Sequence, residues 1–212
     1  MDTDSLIKAL AADRTKPVFP MRAVWIWAIV LAAIAGGAVF FIILGPRPDI
    51  AAAAGTLRFL FKFVFTLGLA ATAFGLLRAL ATPGARLGRV APWVALAPLL
   101  MAVAVLLELN SVPAEVWRAR MIGTNSLACL ASIPLIGLGP LAILLATLRH
   151  GAPTRPRLAG AVAGVLAGGL AATFYAAHCT DDSPLFVALW YSIAIAVLAV
   201  AGGLAAPRFV RW

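Results

Sequence analysis

The sequence predicts an all-α, polytopic membrane protein: a compact bundle of six transmembrane helices with both termini on the cytoplasmic side. Three observations predict it. The 212 residues are 63% apolar and only 12% charged, with a mean hydropathy of +1.02. Six apolar runs, each near the ~20 residues a helix needs to cross the hydrocarbon, divide the chain. Basic residues gather in alternate connections between those runs. An average soluble domain is about 25% charged. A chain this apolar cannot hide its side chains in an aqueous fold, so it needs lipid as its outer solvent.

Residues 1–21 form a cytoplasmic tail. Asp4-Ser5-Leu6-Ile7-Lys8-Ala9-Leu10-Ala11-Ala12-Asp13 reads as a short amphipathic helix, with Leu6, Ile7 and Leu10 on one side. Thr3 or Asp4 is positioned to cap it. Pro17 and Pro20 then favour an extended link to the first span. A helix this short is marginal alone in water and needs lipid or a protein groove to form fully. Asp4 and Asp13 suit an anionic lipid surface poorly, so a protein partner is expected. The run that follows is too long for a secretory leader and lacks a clear cleavage site, so it is expected to be retained as a span.

The spans are read as Ala23–Leu44, Phe59–Leu80, Ala91–Leu107, Asn125–Leu148, Leu158–His178 and Pro184–Ala205. Together, residues 22–207 make the transmembrane domain, and residues 208–212 a second cytoplasmic tail. The third span is short and carries Pro92 and Pro98, tolerable where neighbours satisfy the freed carbonyls. Gly45-Pro46-Arg47-Pro48-Asp49, Thr82-Pro83-Gly84 and Gly151-Ala152-Pro153 break the helices by removing donors or permitting positive φ.

Charge sets the expected sidedness. Of 17 basic residues, 12 fall on the side of the termini, among them Lys8, Arg14, Lys16, Arg22, Arg78, Arg86, Arg89, Arg149, Arg155, Arg157, Arg208 and Arg211. Arg47, Arg58, Lys62, Arg118 and Arg120 lie on the other. Positive loops stay in the cytoplasm, near anionic lipid. The net charge of +9 is therefore explained by topology, and no nucleic-acid partner is expected. Trp25, Trp27, Trp93, Trp190, Tyr191 and Trp212 lie at or near span ends, as interfacial rings do. Gly160, Gly164 and Gly168 make a small-residue stripe for close helix packing.

Candidate chemistry is sparse. The chain has two cysteines, Cys129 and Cys179, and the topology puts both near the outer face. There a disulfide can persist, provided the Cα atoms come within about 7 Å. The alternative is that each is a small apolar residue in a membrane helix. His178-Cys179-Thr180-Asp181-Asp182-Ser183-Pro184 crowds an imidazole, a thiol and two acids into one short loop. His178, Cys179, Asp181 and Asp182, with Cys129, are candidate ligands for a transition metal acting as a signal. Against that, Asp181 and Asp182 would simply solvate the turn and cap the sixth span. Arg58 and Lys62 share a helical face at the outer start of span two, and Glu108 and Glu115 are positioned to pair or snorkel. No ionisable residue falls deep within a span, which argues against an ion-coupled transporter. With no Cys-x-x-Cys, no phosphate loop and two histidines in all, no enzyme and no resident cofactor are expected.

Three segments together resemble the NrsF-type family of membrane anti-sigma factors: Asp4 through Asp13, Leu148-Arg149-His150-Gly151-Ala152-Pro153 with Arg155-Pro156, and His178 through Tyr191. The last is the most specific, and the resemblance covers essentially the whole chain. It implies a bacterial inner-membrane protein that sequesters an extracytoplasmic-function sigma factor. It further implies that Cys129 and Cys179 sense metal or oxidative stress on the periplasmic side. Asp4, Leu6, Ile7, Leu10 and Asp13 are the implied sigma-holding residues, with Arg86, Arg89, Arg155 and Arg157 as added contacts. A small transporter or channel, and a membrane thiol oxidoreductase, are the competing readings.

Overall fold

The computed structural model describes residues 2–13, 20–83, 88 and 91–210. Among these residues the secondary structure is helical throughout. A tail helix, α1 (Thr3–Asp13), precedes α2 (Met21–Ile43). A short turn of helix, α3 (Ile50–Ala53), leads into α4 (Leu57–Ala81). Next come α5 (Ala91–Val94), α6 (Leu96–Ser111), α7 (Trp117–Ile122), α8 (Ser126–Leu148) and α9 (Pro156–Ala176). The last segment runs through α10 (Pro184–Phe186), a π-helical turn at Val187–Tyr191, and α11 (Ser192–Phe209). Six of these stretches are long and apolar enough to cross a membrane.

The expected spans are all present, with shifted ends. The third runs on to Ser111, farther than Leu107, because Glu108 and Ser111 find polar partners that let the helix continue. The sixth continues past Ala205 to Phe209, carrying Pro207 near its end. Local chemistry sets the boundaries. Thr56 accepts a hydrogen bond from the Phe59 amide and so caps α4. Pro156 opens α9 at the position where its missing N–H costs nothing. Gly45, at φ +70°, ends α2 in the left-handed region that glycine enters freely.

Helix α9 is the packing centre, with α11, α4 and α8 against it. Its glycine stripe does what the sequence predicts. Added Cβ atoms at Gly160 and Gly164 would strike the backbone carbonyls of Gly202 and Leu198, and one at Gly168 would press on Ile195. On the neighbouring face Gly169 meets the Ala70 backbone of α4. Only hydrogen side chains permit these approaches, which replace the hydrophobic drive that is weak between helices in lipid.

The interior divides into two clusters. One, toward the end of the bundle that holds the termini, gathers Trp25, Leu77, Leu144, Leu148, Leu166 and Leu198. There the Ala152 amide donates to the Ala81 carbonyl, tying the end of α4 to the approach of α9. The other, at the distal end, gathers Phe40, Phe65, Ile133, Tyr175, Phe186, Tyr191 and both cysteines. Two expected interfacial rings are in fact core. Trp25 packs edge-on against Phe74, and Tyr191 is fully buried beside Tyr175. Each lies on the inward face of its helix, and neighbouring helices claim it before lipid can.

Candidate functional site

The distal end of the bundle concentrates the buried polar chemistry. Helix α9 stops at Ala176, and the chain crosses to α10 through Ala177–Ser183. The amides of His178 and Cys179 both donate to the Tyr175 carbonyl, closing the last turn. The Ala177 carbonyl then accepts from the Arg47 amide, so the α2–α3 connection is stitched to this crossing. His178 Nδ1 lies 2.9 Å from the Gly45 carbonyl oxygen on the same connection.

Two cations clamp the crossing from different elements. Arg47 grips Asp49 with Nε and Nη2, each at 2.7 Å, and turns Nη1 to Asp182 at 3.0 Å and to the Cys179 carbonyl at 3.3 Å. Lys62 enters from α4. Its Nζ donates to the same Cys179 carbonyl at 2.8 Å and sits 2.5 Å from Asp182 Oδ1. Lys62 is 0% exposed and Arg47 8%. Both cations are buried, so each depends on its carboxylate partner. Hydrogen bonding to Asp49 is the first reason Arg47 stands above the usual guanidinium range, with Asp182 adding to it and burial opposing it. The same hydrogen bond holds Asp49 below the usual carboxylate range.

Glu108 makes a second knot at the end of α6. It is 4% exposed and accepts from Arg58 at 2.9–3.0 Å and from Arg120 at 2.6 Å, with the Ser183 hydroxyl at 3.3 Å. Arg58 and Lys62, one turn apart on α4, therefore serve different carboxylates. Asp181 makes a third. It accepts from the backbone amides of Thr124 and Asn125 at 3.0 and 2.8 Å, the two residues just ahead of α8. The sequence expectation that Asp181 and Asp182 cap the sixth span is thereby corrected. Ser183 takes that role, accepting from the Leu185 amide. Asp181 caps across the loop instead, and Asp182 is drawn to the two cations.

Beneath this polar roof both thiols are packed in the distal apolar cluster. Cys129, one turn inside α8, and Cys179 are unbonded and 0% exposed. Burial pushes the Cys179 thiol up; the Lys62 charge, a backbone hydrogen bond at Asp181 and the nearby Tyr175 hydroxyl pull the other way. The hydroxyls of Tyr175 and Tyr191 are buried without a hydrogen-bond partner of good geometry. Such a group costs about 1–3 kcal/mol. Tyr191 closes the π-helical turn, a local deformation that often marks functional positions.

The five candidate metal donors share this end, but His178, Asp181 and Asp182 each face separate partners. Among the described residues no group of three or more His, Cys, Asp or Glu side chains is arranged to hold a metal. Of the tail residues, α1 forms as expected, with Asp4, Leu6 and Ile7 exposed. The side chains of Leu10 and Asp13, and residues Arg86 and Arg89, lie outside the described residues. Arg155 and Arg157 are exposed at the start of α9, at the terminal end. Sequence reasoning missed the pairing of Arg47 and Lys62 with Asp182. The available signal was a lysine one turn into a membrane-length helix.

Comparison with known proteins identifies the family. The family described as negative regulator of sigma F matches residues 10–212. The chain is similar to the anti-sigma-F factor NrsF of Caulobacter vibrioides, 34% identical with all of both chains covered. It is likewise similar to the probable anti-sigma-F factor NrsF of Azospira oryzae, 33% identical with both chains covered. No solved structure matches it significantly. These names describe regulators and not enzymes. Matched over nearly its whole length, the chain belongs to the NrsF family of negative regulators of sigma F.

Proposed function

We propose that this protein is a multi-pass anti-sigma factor of the bacterial inner membrane, with both termini cytoplasmic, that holds an extracytoplasmic-function sigma factor and releases it on a signal read at the opposite face. Family membership and six membrane-length helices support the anti-sigma reading, and the excess of basic residues at the terminal end supports the sidedness. The exposed apolar pair Leu6 and Ile7, with Asp4, Leu10 and Asp13 on the same short helix, is the proposed sigma contact.

One observation carries the sensing half. The Cys179 carbonyl is held at once by Lys62 of α4 and Arg47 of the α2–α3 connection, and Asp182 bridges the same two cations. A change at Cys179 therefore strains two elements together. Helix α4 carries that change inward. Thr66 donates to the Lys62 carbonyl and meets Thr173 of α9 at 2.9 Å, and α4 ends where Ala81 holds Ala152. Joining Cys129 to Cys179, or binding a thiophilic metal between them, supplies the differential free energy that such a switch needs. Oxidative bridging of the two thiols is the favoured signal, because His178, Asp181 and Asp182 already have partners and a metal would have to draw them away.

The test is co-purification of the sigma factor with the full chain and with residues 1–21 deleted, alongside sigma-dependent transcription in a strain carrying both cysteines as serine. Loss of sigma on deletion, and loss of response to peroxide and to thiophilic metals in the serine strain, are expected. Undiminished response without the cysteines overturns the sensing half; retained sigma without the tail overturns the assignment of the contact.

A further inference from the structure

The two thiols are not equivalent. Cys129 lies within α8, among the apolar side chains of the distal cluster. Cys179 lies in the crossing, just beyond α9. Its roof, Thr180 to Ser183, also lines an open cleft of about 860 Å³ bounded by Arg58, Arg118 and Arg120. Cys179 alone has a cation on its own backbone, Lys62 at 2.8 Å, and it shares the distal cluster with the buried Tyr175 hydroxyl.

That hydroxyl is informative. Tyr175 is fully buried, and its oxygen has no good hydrogen-bond partner in the reduced state. A phenylalanine would fill the same space without burying an unsatisfied group. The oxygen has a use once the Cys179 sulfur becomes anionic or carries an oxygen of its own. Lys62, whose charge favours the thiolate against the effect of burial, acts in the same sense.

We propose that Cys179 is the sulfur that reacts first with a hydroperoxide, that Lys62 and Tyr175 position and steady its thiolate and sulfenic acid, and that Cys129 is the second sulfur, which closes the bridge. The assignment rests on the cysteine switch proposed above. In the first step the Cys179 thiolate attacks one peroxide oxygen. An S–O bond forms, the O–O bond breaks, and the departing alkoxide, or hydroxide from hydrogen peroxide, takes up the proton Cys179 gave up and leaves as alcohol or water. In the second, the Cys129 sulfur displaces hydroxide from the sulfenic acid. The S–S bond forms, the S–O bond breaks, and hydroxide leaves as water with the Cys129 proton. Two thiols are oxidised and one hydroperoxide is reduced. The cleft above the crossing is the route of approach.

The test uses the full chain in lipid nanodiscs, treated with hydrogen peroxide and dimedone and read by mass spectrometry, with bridge formation followed by thiol counting. In Cys129→Ser, dimedone labels Cys179; in Cys179→Ser, Cys129 stays unlabelled. Tyr175→Phe slows bridge formation at least tenfold without lowering thermal stability. Lys62→Met removes a buried ion-pair partner and threatens the fold, so Lys62→Arg is its companion and keeps more of the rate. Labelling of Cys129 first, or bridging by Tyr175→Phe at the wild-type rate, overturns the assignment. A Tyr175→Phe protein that is less stable yet bridges normally does so too, and points to a buried water on the hydroxyl. A bridge that forms in this order while sigma-dependent transcription ignores it sinks the switch and leaves the order of reaction standing.

Discussion

Lys62 Nζ lies 2.5 Å from Asp182 Oδ1, joining the second turn of α4 to the crossing between α9 and α10 with no solvent at the lysine. A lysine this well buried persists because its partner does. Asp182→Asn keeps the shape and removes the charge that both Lys62 and Arg47 face. The expected cost is about 3–5 kcal/mol, the usual loss on breaking a buried pair. Thermal unfolding in detergent checks it. The double variant Asp182→Asn with Lys62→Met regains much of the loss, since coupled partners are non-additive. A double variant no better than the single would refute the pairing.

The Cys179 thiol predicts a pH signature. Burial holds its folded pKa above the unfolded value. The sign follows: the neutral thiol's contribution to stability is complete below the unfolded pKa of about 8.5 and is lost as pH rises beyond it. Alkylation of native Cys179 by N-ethylmaleimide at pH 7 is expected to be far slower than in the denatured chain. It should accelerate as pH rises and in Asp182→Asn, where the roof is loosened. A native rate equal to the denatured rate contradicts the burial of this sulfur.

Packing of α9 against α11 gives a steric test. At Gly160 and Gly164 a Cβ would meet backbone, which cannot swing aside as a side chain does. Gly164→Ala is expected to destabilise the bundle by about 1–3 kcal/mol, the common penalty of overpacking. An alanine at Gly68, where nothing lies within 4 Å, is the matched control and should be tolerated. Equal stabilities for the two variants would argue against the close α9–α11 approach.

Tail chemistry is separable from the bundle. Leu6 and Ile7 are 44% and 57% exposed, a poor arrangement for two large apolar residues unless something covers them. Replacing both with Asp should leave the melting of the membrane domain unchanged and abolish co-purification of sigma. Melting that falls while sigma stays bound would assign these residues to the bundle.

Much of this protein is written locally. Hydropathy alone sets the number of spans, since each run either can or cannot satisfy its backbone inside a hydrocarbon layer. The Gly160-Gly164-Gly168 period specifies a close helix contact, and the Leu6-Ile7-Leu10 spacing a short amphipathic helix. Other features were decided only by the tertiary structure. Asp182 is drawn to Lys62 and Arg47, the latter 135 positions away, and Asp181 to the start of α8, 56 positions away. Trp25 and Tyr191 enter the core and leave the lipid interface to others. The physical reason is common to all of these. Helical period and span length act within a few turns of chain, whereas the partner of a buried charge depends on which helix ends the packing brings together.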